Sequence, residues 1–263
     1  MRVIIIRSKI EHLPRRISYS HLRKDGIVMI YAAILAGGKG IRMGGDLPKQ
    51  YLTINGVPIL VRTVRAFLRC GIVDGIVLCV PGDYMEYTSE VLNKYPDTRG
   101  KVNVIEGGSD RTGSMENAIR FFERSVEISG EDILITHDCV RPFVTDEMIF
   151  SSVNSAMLSG GATAAIPCVD TICISSDGKE IESVPDRSML YSVQTPQTFL
   201  FRDFREILFS LTQEERRQVT DASAVFRLRG RKVVLSEGSP SNIKITHPSD
   251  IPLAEKLAER FDS

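Results

Sequence analysis

Between Ile34 and Leu52 the chain reads ILAGGKGIRMGGDLPKQYL, an apolar run that gives way to glycines, then Arg42, then Lys49. Glycines at a strand-to-helix turn leave backbone N–H groups open to phosphate oxygens, and two fixed cations suit charge that builds on a triphosphate. Pro48 pins the backbone ahead of Lys49, so that this lysine can reach the phosphate that Arg42 faces. The spacing disfavours the commoner nucleotide loops. Gly38 and Gly40 are followed by Arg42 and only then by Gly44, which breaks G-x-G-x-x-G, and no Gly-Lys-Ser/Thr is present. A tight turn with a solvated Arg42 remains open on these residues alone.

Two further segments repeat the pattern of a strand running into polar chemistry. Glu106-Gly107-Gly108-Ser109-Asp110-Arg111-Thr112-Gly113-Ser114 follows an apolar run ending at Ile105, so free N–H groups face the crevice outside a strand's carboxyl end. An ordinary helix cap reads equally well there. Thr136-His137-Asp138-Cys139-Val140-Arg141-Pro142 follows ILI, and a carboxylate at a strand terminus is placed to hold Mg²⁺ on a triphosphate. His137 by itself reads as a hydrogen-bonded structural histidine. No second His or Cys stands at ligand spacing, so zinc has little support. Thr171, Arg187, Thr195, Thr220 and Lys244 are each unremarkable singly, and each reads as solvated surface.

These residues need elements to hold them. Apolar runs at Met29–Leu35, Gly75–Val80, Val102–Ile105, Asp132–Thr136, Ala162–Pro167 and Lys232–Ser236 alternate with helix-like segments, the signature of a parallel sheet covered by helices on both faces. Pro58 opens a helix carrying Leu60, Val61, Val64, Phe67 and Leu68 on one face, with Gly71 as its stop. Thr145 opens another, which ends at Gly160. A last helix after Pro248 spaces Leu253, Leu257 and Phe261 along one face. From Asp170 to Val184, TICISS and KEIESV flank Asp177-Gly178, the strongest short-range hairpin signal, and the hairpin is expected to project towards a partner subunit.

Lys plus Arg and Asp plus Glu both number 33, so no general attraction to nucleic acid or an acidic membrane exists and anion binding must be local. Residues 1–28 hold seven Lys or Arg against Glu11 and Asp25 and are expected to be an extension before a single domain of residues 29–263. A targeting peptide and an ordered extra segment are the alternatives. No 18-residue apolar run occurs, and five scattered cysteines without C-x-x-C fit reduced thiols in a cytoplasmic protein.

ILAGGKGIRMGGDLPKQYL, GGSDRTGSMENAI, THDCVRP, PCVDTI, PDRSMLYSVQTPQTF, TDASAV and GSPSNIKITHPSDI follow one another as in the cytidylyltransferase family of isoprenoid biosynthesis and its sister, ribitol-5-phosphate cytidylyltransferase. The chain resembles this family over about residues 29–260. The resemblance implies a Rossmann-like three-layer α/β sandwich with a mainly parallel sheet, a protruding β-hairpin arm at about residues 168–190, and a homodimer joined through that arm. It implies transfer of a cytidylyl group from CTP to a polyol phosphate, with pyrophosphate released and Mg²⁺ as the divalent cation. Arg42, Lys49, Arg187 and Lys244 would be catalytic, and Ala36, Gly37, Gly38, Gly40, Gly108, Ser109, Asp110, Arg111 and Ser114 would hold CTP, with Asp138 on Mg²⁺. Arg141, Thr171, Arg187, Thr195, Thr220 and Lys244 would hold the acceptor, Arg187 reaching into the partner's site.

The acceptor is divided between two readings. The AGG opening, Cys139, and Val140-Arg141-Pro142-Phe143 lean to the ribitol branch. Ser114, Pro167, Asp186-Arg187-Ser188, Ser192-Val193-Gln194 and Asp221-Ala222-Ser223 lean to 2-C-methyl-D-erythritol 4-phosphate, which is the expected acceptor because these motifs lie nearer the discriminating chemistry. D-ribitol 5-phosphate is the alternative. A non-catalytic nucleotide-binding protein is a second, and a sugar 1-phosphate nucleotidyltransferase a third that does not call for the QTPQ and NIKIT segments.

Overall fold

The computed structural model describes residues 28–38 and 47–262. Of the expected N-terminal extension only Val28 is described, and it is buried in the core. Gly40 and Arg42 lie outside the described residues. In chain order come β1 (Ile30–Leu35), β2 (Thr53–Ile54), β3 (Val57–Pro58), α1 (Ile59–Arg69), β4 (Gly75–Val80) and α2 (Met85–Asn93). Next are β5 (Asn103–Glu106), α3 (Arg111–Ser125), β6 (Ile133–Asp138), α4 (Asp146–Ser159), β7 (Gly161–Pro167) and β8 (Tyr191–Leu200). The chain continues through α5 (Phe201–Ser210), α6 (Gln213–Gln218), α7 (Ala222–Arg227), β9 (Val234–Glu237) and α8 (Ile251–Phe261).

Seven strands form one sheet in the order β5-β4-β1-β6-β8-β7-β9. Only β8 runs against its neighbours, so the sheet is mainly parallel. The alternation of β1 shows how the layers arise. Ile30, Ala32 and Ile34 point into one core with Leu60, Val64 and Phe67 of α1 and Val153 of α4. Tyr31 and Ala33 point into the other, with Met115 and Phe122 of α3, Phe204 of α5 and Phe226 of α7. The outcome is a three-layer α/β sandwich. Asp132 and Asp74 fasten the amino end of β1 by accepting the N–H groups of Met29 (2.9 Å) and Ile30 (2.8 Å).

Each strand expected from an apolar run forms. β8 was hidden because its sequence, YSVQTPQTFL, is polar and holds a proline. Its buried polar side chains all find partners: Gln197 donates to Thr163 (3.1 Å) and Asp221 (2.8 Å), and Thr198 donates to Ser152 (2.9 Å). Pro196 falls where the register with β7 breaks, between the Thr163–Gln197 and Ala165–Val193 pairs, so its missing N–H interrupts no regular ladder.

Two expectations need correction. In α8 the buried face is Ala254, Leu257 and Ala258, whereas Leu253 is 53% exposed. The small alanines let the helix approach the β2–β3 hairpin closely. The arm is not a two-residue hairpin on Asp177-Gly178: its one bridge pairs Ile174 with Ser183, whereas such a turn would pair Ile174 with Ile181. Local side-chain bonds win over the ladder. The Asp177 carboxylate accepts from the N–H groups of Lys179 (2.8 Å) and Glu180 (3.1 Å), while Glu182 takes the N–H and hydroxyl of Ser176.

Cys70, Cys79 and Cys139 are buried, Cys168 is half-buried and Cys173 is exposed. Burial pushes the Cys70 and Cys79 thiols up to about 12 and raises Cys139 as well. An alkylating reagent at pH 8 is therefore expected to modify Cys168 and Cys173 in the folded protein and the other three only after denaturation. Mass spectrometry of labelled peptides checks this; labelling of Cys79 as fast as Cys173 would contradict it.

Candidate active site

The carboxyl ends of β1, β5 and β6 open on one side of the sheet, where a crevice is expected in an α/β fold. After β1 the chain turns through Ala36, Gly37 and Gly38. Gln50, which is buried, donates to the Ala36 carbonyl at 2.7 Å, while the Ala36 N–H is held by Cys79 at 2.8 Å. The short helical turn Lys49–Tyr51 is fixed from behind by the Tyr51 hydroxyl, 2.7 Å from Thr88 of α2. Lys49 thereby faces the glycine turn.

After β5 the chain needs glycine for space. A Cβ on Gly108 would lie 2.4 Å from the Gly113 carbonyl carbon and 2.7 Å from the Ser114 nitrogen. That contact brings the loop tight against the first turn of α3. Asp110 caps this helix by accepting from the Gly113 N–H at 2.7 Å. Ser114 accepts from the Gly108 N–H (3.0 Å) and donates to the Asp110 carbonyl (2.9 Å). Arg111, the first helical residue, is aimed across the crevice.

The end of β6 supplies Asp138, 6% exposed. Arg111 Nη1 lies 2.5 Å from one carboxylate oxygen; Lys244 Nζ lies 2.9 Å and Arg141 Nε 3.8 Å from the other. Burial alone would raise this carboxyl, yet Arg111 and Lys244 hold it well below the usual carboxylate range. Nε and Nη2 of Arg111 and Nε of Arg141 are buried without a hydrogen-bond partner. Orphaned guanidinium donors facing a crevice are what an incoming anion satisfies.

Lys244 arrives on a segment that crosses the sheet's end. Asn242, fully buried, donates to the Thr195 carbonyl at 2.8 Å, and Arg141 donates to the Asn242 carbonyl at 2.8 Å. The Ile245 N–H bonds to the Val140 carbonyl at 2.9 Å, so Ile245 enters the core while Lys244 on the opposite side meets Asp138. Behind Asp138, His137 is fully buried and burial lowers it to about 4, so the ring is neutral near pH 7.

Of the residues singled out from the sequence, Ala36, Gly37, Gly38, Lys49, Gly108, Ser109, Asp110, Arg111, Ser114, Asp138 and Lys244 surround one cleft of about 310 Å³. Arg141, Thr195 and Thr220 line an adjoining cavity of about 110 Å³ that shares Arg111, Asp138 and Lys244. Thr171 and Arg187 are not brought there; both are exposed on the arm, where Arg187 donates to the Val169 carbonyl at 3.1 Å. Sequence reasoning missed Gln50, Val140, Gln194 and Asn242 as parts of the site. Gln50 adjoins Lys49, and Asn242 stands before the alternation that turns Lys244 inwards.

A crevice at the carboxyl ends of parallel strands, lined by glycine-turn backbone, guanidinium and ammonium groups, is the kind of site that nucleotide-handling α/β proteins use. Residues 30–260 match the family model described as 2-C-methyl-D-erythritol 4-phosphate cytidylyltransferase, and the chain belongs to that family. It is 39% identical over 234 residues to a ribitol-5-phosphate cytidylyltransferase of Streptococcus pneumoniae serotype 4, covering 88% of this chain and 100% of that one. A 4-diphosphocytidyl-2C-methyl-D-erythritol synthase from Anaerococcus prevotii has a similar structure, with TM-score 0.72 and 27% identity over 89% of this chain and 99% of that one. The corresponding cytidylyltransferase from Thermus thermophilus has TM-score 0.66 and 27% identity over 88% and 98%. The protein is a CTP-dependent cytidylyltransferase that acts on a polyol phosphate.

Substituting Gly108→Ala forces a Cβ into the backbone of α3's first turn. We expect a loss of about 1–3 kcal/mol in stability by urea unfolding, together with weaker CTP binding by calorimetry. Unchanged values for both would show that the close approach is not required.

Proposed function

We propose that the protein transfers the cytidylyl group of CTP to D-ribitol 5-phosphate, giving CDP-ribitol and pyrophosphate. The whole-length similarity to ribitol-5-phosphate cytidylyltransferases at 38–39% identity carries the choice of acceptor. This departs from the preference for 2-C-methyl-D-erythritol 4-phosphate drawn from the motifs. That acceptor stays as the second reading because Asp186-Arg187-Ser188 and Ser192-Val193-Gln194 favour it.

The geometry supports a reaction run by charge and positioning. A phosphate monoester has a second pKa of about 6 and is largely dianionic near pH 7, so it attacks the α-phosphorus without a general base. A new P–O bond forms, the bond from the α-phosphorus to the β-phosphate's bridging oxygen breaks, and pyrophosphate leaves with that electron pair. Ala36, Gly37, Gly38 and the turn from Gly108 to Arg111 hold the triphosphate, and Lys49, with Arg42, stabilises its growing charge. Gly40 and Ser114 complete the CTP site, Ser114 by holding the Gly108 turn in shape. Lys244, Arg141 and Thr220 receive the acceptor's phosphate.

Asp138 fits a Mg²⁺ site, since Mg²⁺ bound to a nucleotide needs only one or two protein carboxylates beside phosphates and water. Among the described residues no group of three His, Cys, Asp or Glu gathers for a metal, and in this reading the nucleotide's phosphates and water supply the other ligands. Mg²⁺ bound there would neutralise charge on the phosphates. Arg111 and Lys244, which flank Asp138, carry the positive charge that the phosphates would meet beside the ion.

The arm belongs to a homodimer in this reading. Val169, Ile181 and Met189 on it are 82%, 69% and 72% exposed, apolar surface that a second copy would cover. Thr171 and Arg187 then complete the partner's acceptor site. The reading places the enzyme in the cytoplasm; no helix among the described residues is long and apolar enough to cross a membrane.

Pyrophosphate release with CTP and Mg²⁺, measured in parallel with the two acceptors, decides between them; ribitol 5-phosphate is expected to give the higher kcat/KM, and the reverse order overturns the choice. Lys49→Ala should lower kcat by about 100-fold or more with the unfolding midpoint unchanged, and full turnover would remove Lys49 from the mechanism. Mixing Lys49→Ala with Arg187→Ala protein, each nearly inactive, should restore activity. One mixed-dimer site then holds both native residues, whereas an arginine acting within its own chain gives no rescue.

A further inference from the structure

His137 and Thr195 meet behind the crevice. His137 Nε2 lies 3.0 Å from the Arg141 carbonyl, and Nδ1 lies 3.0 Å from the Thr195 hydroxyl. A carbonyl only accepts, so Nε2 carries the proton and Nδ1 presents a bare lone pair. The Thr195 hydroxyl must then donate to Nδ1. Its oxygen in turn accepts from the Asp138 N–H at 3.1 Å. A phosphate dianion offers acceptors only, so this hydroxyl has no proton left for it unless it abandons a fully buried ring.

We propose that His137 and Thr195 are a positioning pair for cytidylyl transfer, in which Thr195 acts through the Asp138 backbone and is not a ligand of the acceptor's phosphate. One fully buried ring thereby ties two halves of the site together. Through Thr195 it fixes the backbone that presents the Asp138 carboxylate to Arg111 and Lys244, and through the Arg141 carbonyl it closes the turn that carries the acceptor-side guanidinium. The Phe67 ring, with its centroid 4.9 Å away and inclined at 60°, holds the imidazole plane. The inference rests on cytidylyl transfer at this site, whichever polyol phosphate is the acceptor.

The test is steady-state kinetics of the full chain with the acceptor that turns over in the wild type, varying acceptor and CTP separately. Thr195→Val is expected to lower kcat by about 10- to 100-fold while the acceptor KM stays within about 2-fold, and Thr195→Ser restores most of kcat. His137→Asn keeps the acceptor towards Thr195, and His137→Gln keeps the donor towards Arg141. Each alone should lower kcat, and Thr195→Val added to His137→Gln, which keeps only the Asp138 N–H contact to lose, should lower it by a smaller factor than Thr195→Val does in the wild type, whereas full multiplication of the two losses would overturn the coupling.

A tenfold rise in acceptor KM with kcat held in Thr195→Val would make Thr195 a phosphate ligand and overturn the pair, as would unchanged kcat and KM. Nitrogen-15 NMR of the wild-type histidines, with His137 assigned by its loss in His137→Asn, gives a measure that needs no variant to turn over. Retention of the Nε2–H tautomer on saturation with acceptor supports the pair, and its loss overturns it. Wild-type protein that turns over neither acceptor sinks the functional reading, while the tautomer still decides the pair.

Discussion

A carboxylate at the end of β6, almost wholly out of water, has to be compensated, and much of the site follows from how this is done. Burying an isolated charge costs several kcal/mol even after relaxation. Asp138 is compensated by Arg111 at 2.5 Å and Lys244 at 2.9 Å, and Arg141 stands at 3.8 Å. These cations come from separate parts of the chain, so the charge ties α3, the turn after β6 and the segment before α8 into one place. Cations gathered around one carboxylate leave an excess of positive charge, and three of their guanidinium nitrogens, Nε and Nη2 of Arg111 and Nε of Arg141, have no hydrogen-bond partner. The charge balance of the site suits an anion.

Each cation is placed by something apolar or uncharged. Arg111 is aimed by the capped start of α3, whose first turn lies against Gly108 where no side chain fits. Lys244 is aimed by Ile245 dropping into the core and by Asn242 bonding to β8. β8 is the polar strand of an otherwise apolar sheet, and it runs against the rest. The Thr195 side chain of this one strand meets β6, and the Gln197 side chain meets both β7 and the cap of α7. The sheet therefore contributes polar contacts at the point where a parallel apolar strand would offer none.

The chemistry inferred for the site agrees with what it lacks. Among the described residues no serine, histidine and carboxylate stand in relay, and His137 is neutral and sealed from the crevice. A phosphate that is already anionic needs no proton removed, only neighbours that tolerate the charge as it moves. Positioning then becomes the main demand, which the rigid ends of β1, β5 and β6 satisfy. The arm is built the other way, with one bridge and exposed apolar side chains.

The layered α/β architecture was legible in the amino-acid sequence, because a parallel strand buried on both faces must be a short apolar run and a helix between strands must carry one apolar face. The glycine turns, Lys49, Arg111 and Asp138 were legible too, since they follow or adjoin such runs, whereas Lys244 was picked out only by the family resemblance. What the sequence could not determine was anything that depends on direction or on partners distant along the chain. β8 carries no apolar run to mark it and is explained only by the partners of Gln197 and Thr198, and the hairpin register of the arm yields to side-chain bonds of Asp177 and Glu182. The meeting of Arg111, Arg141 and Lys244 on one carboxylate was decided by the tertiary structure alone. Periodicity is a local property that a chain carries in its order, whereas charge compensation and hydrogen-bond satisfaction are settled only when remote segments share the same few ångströms.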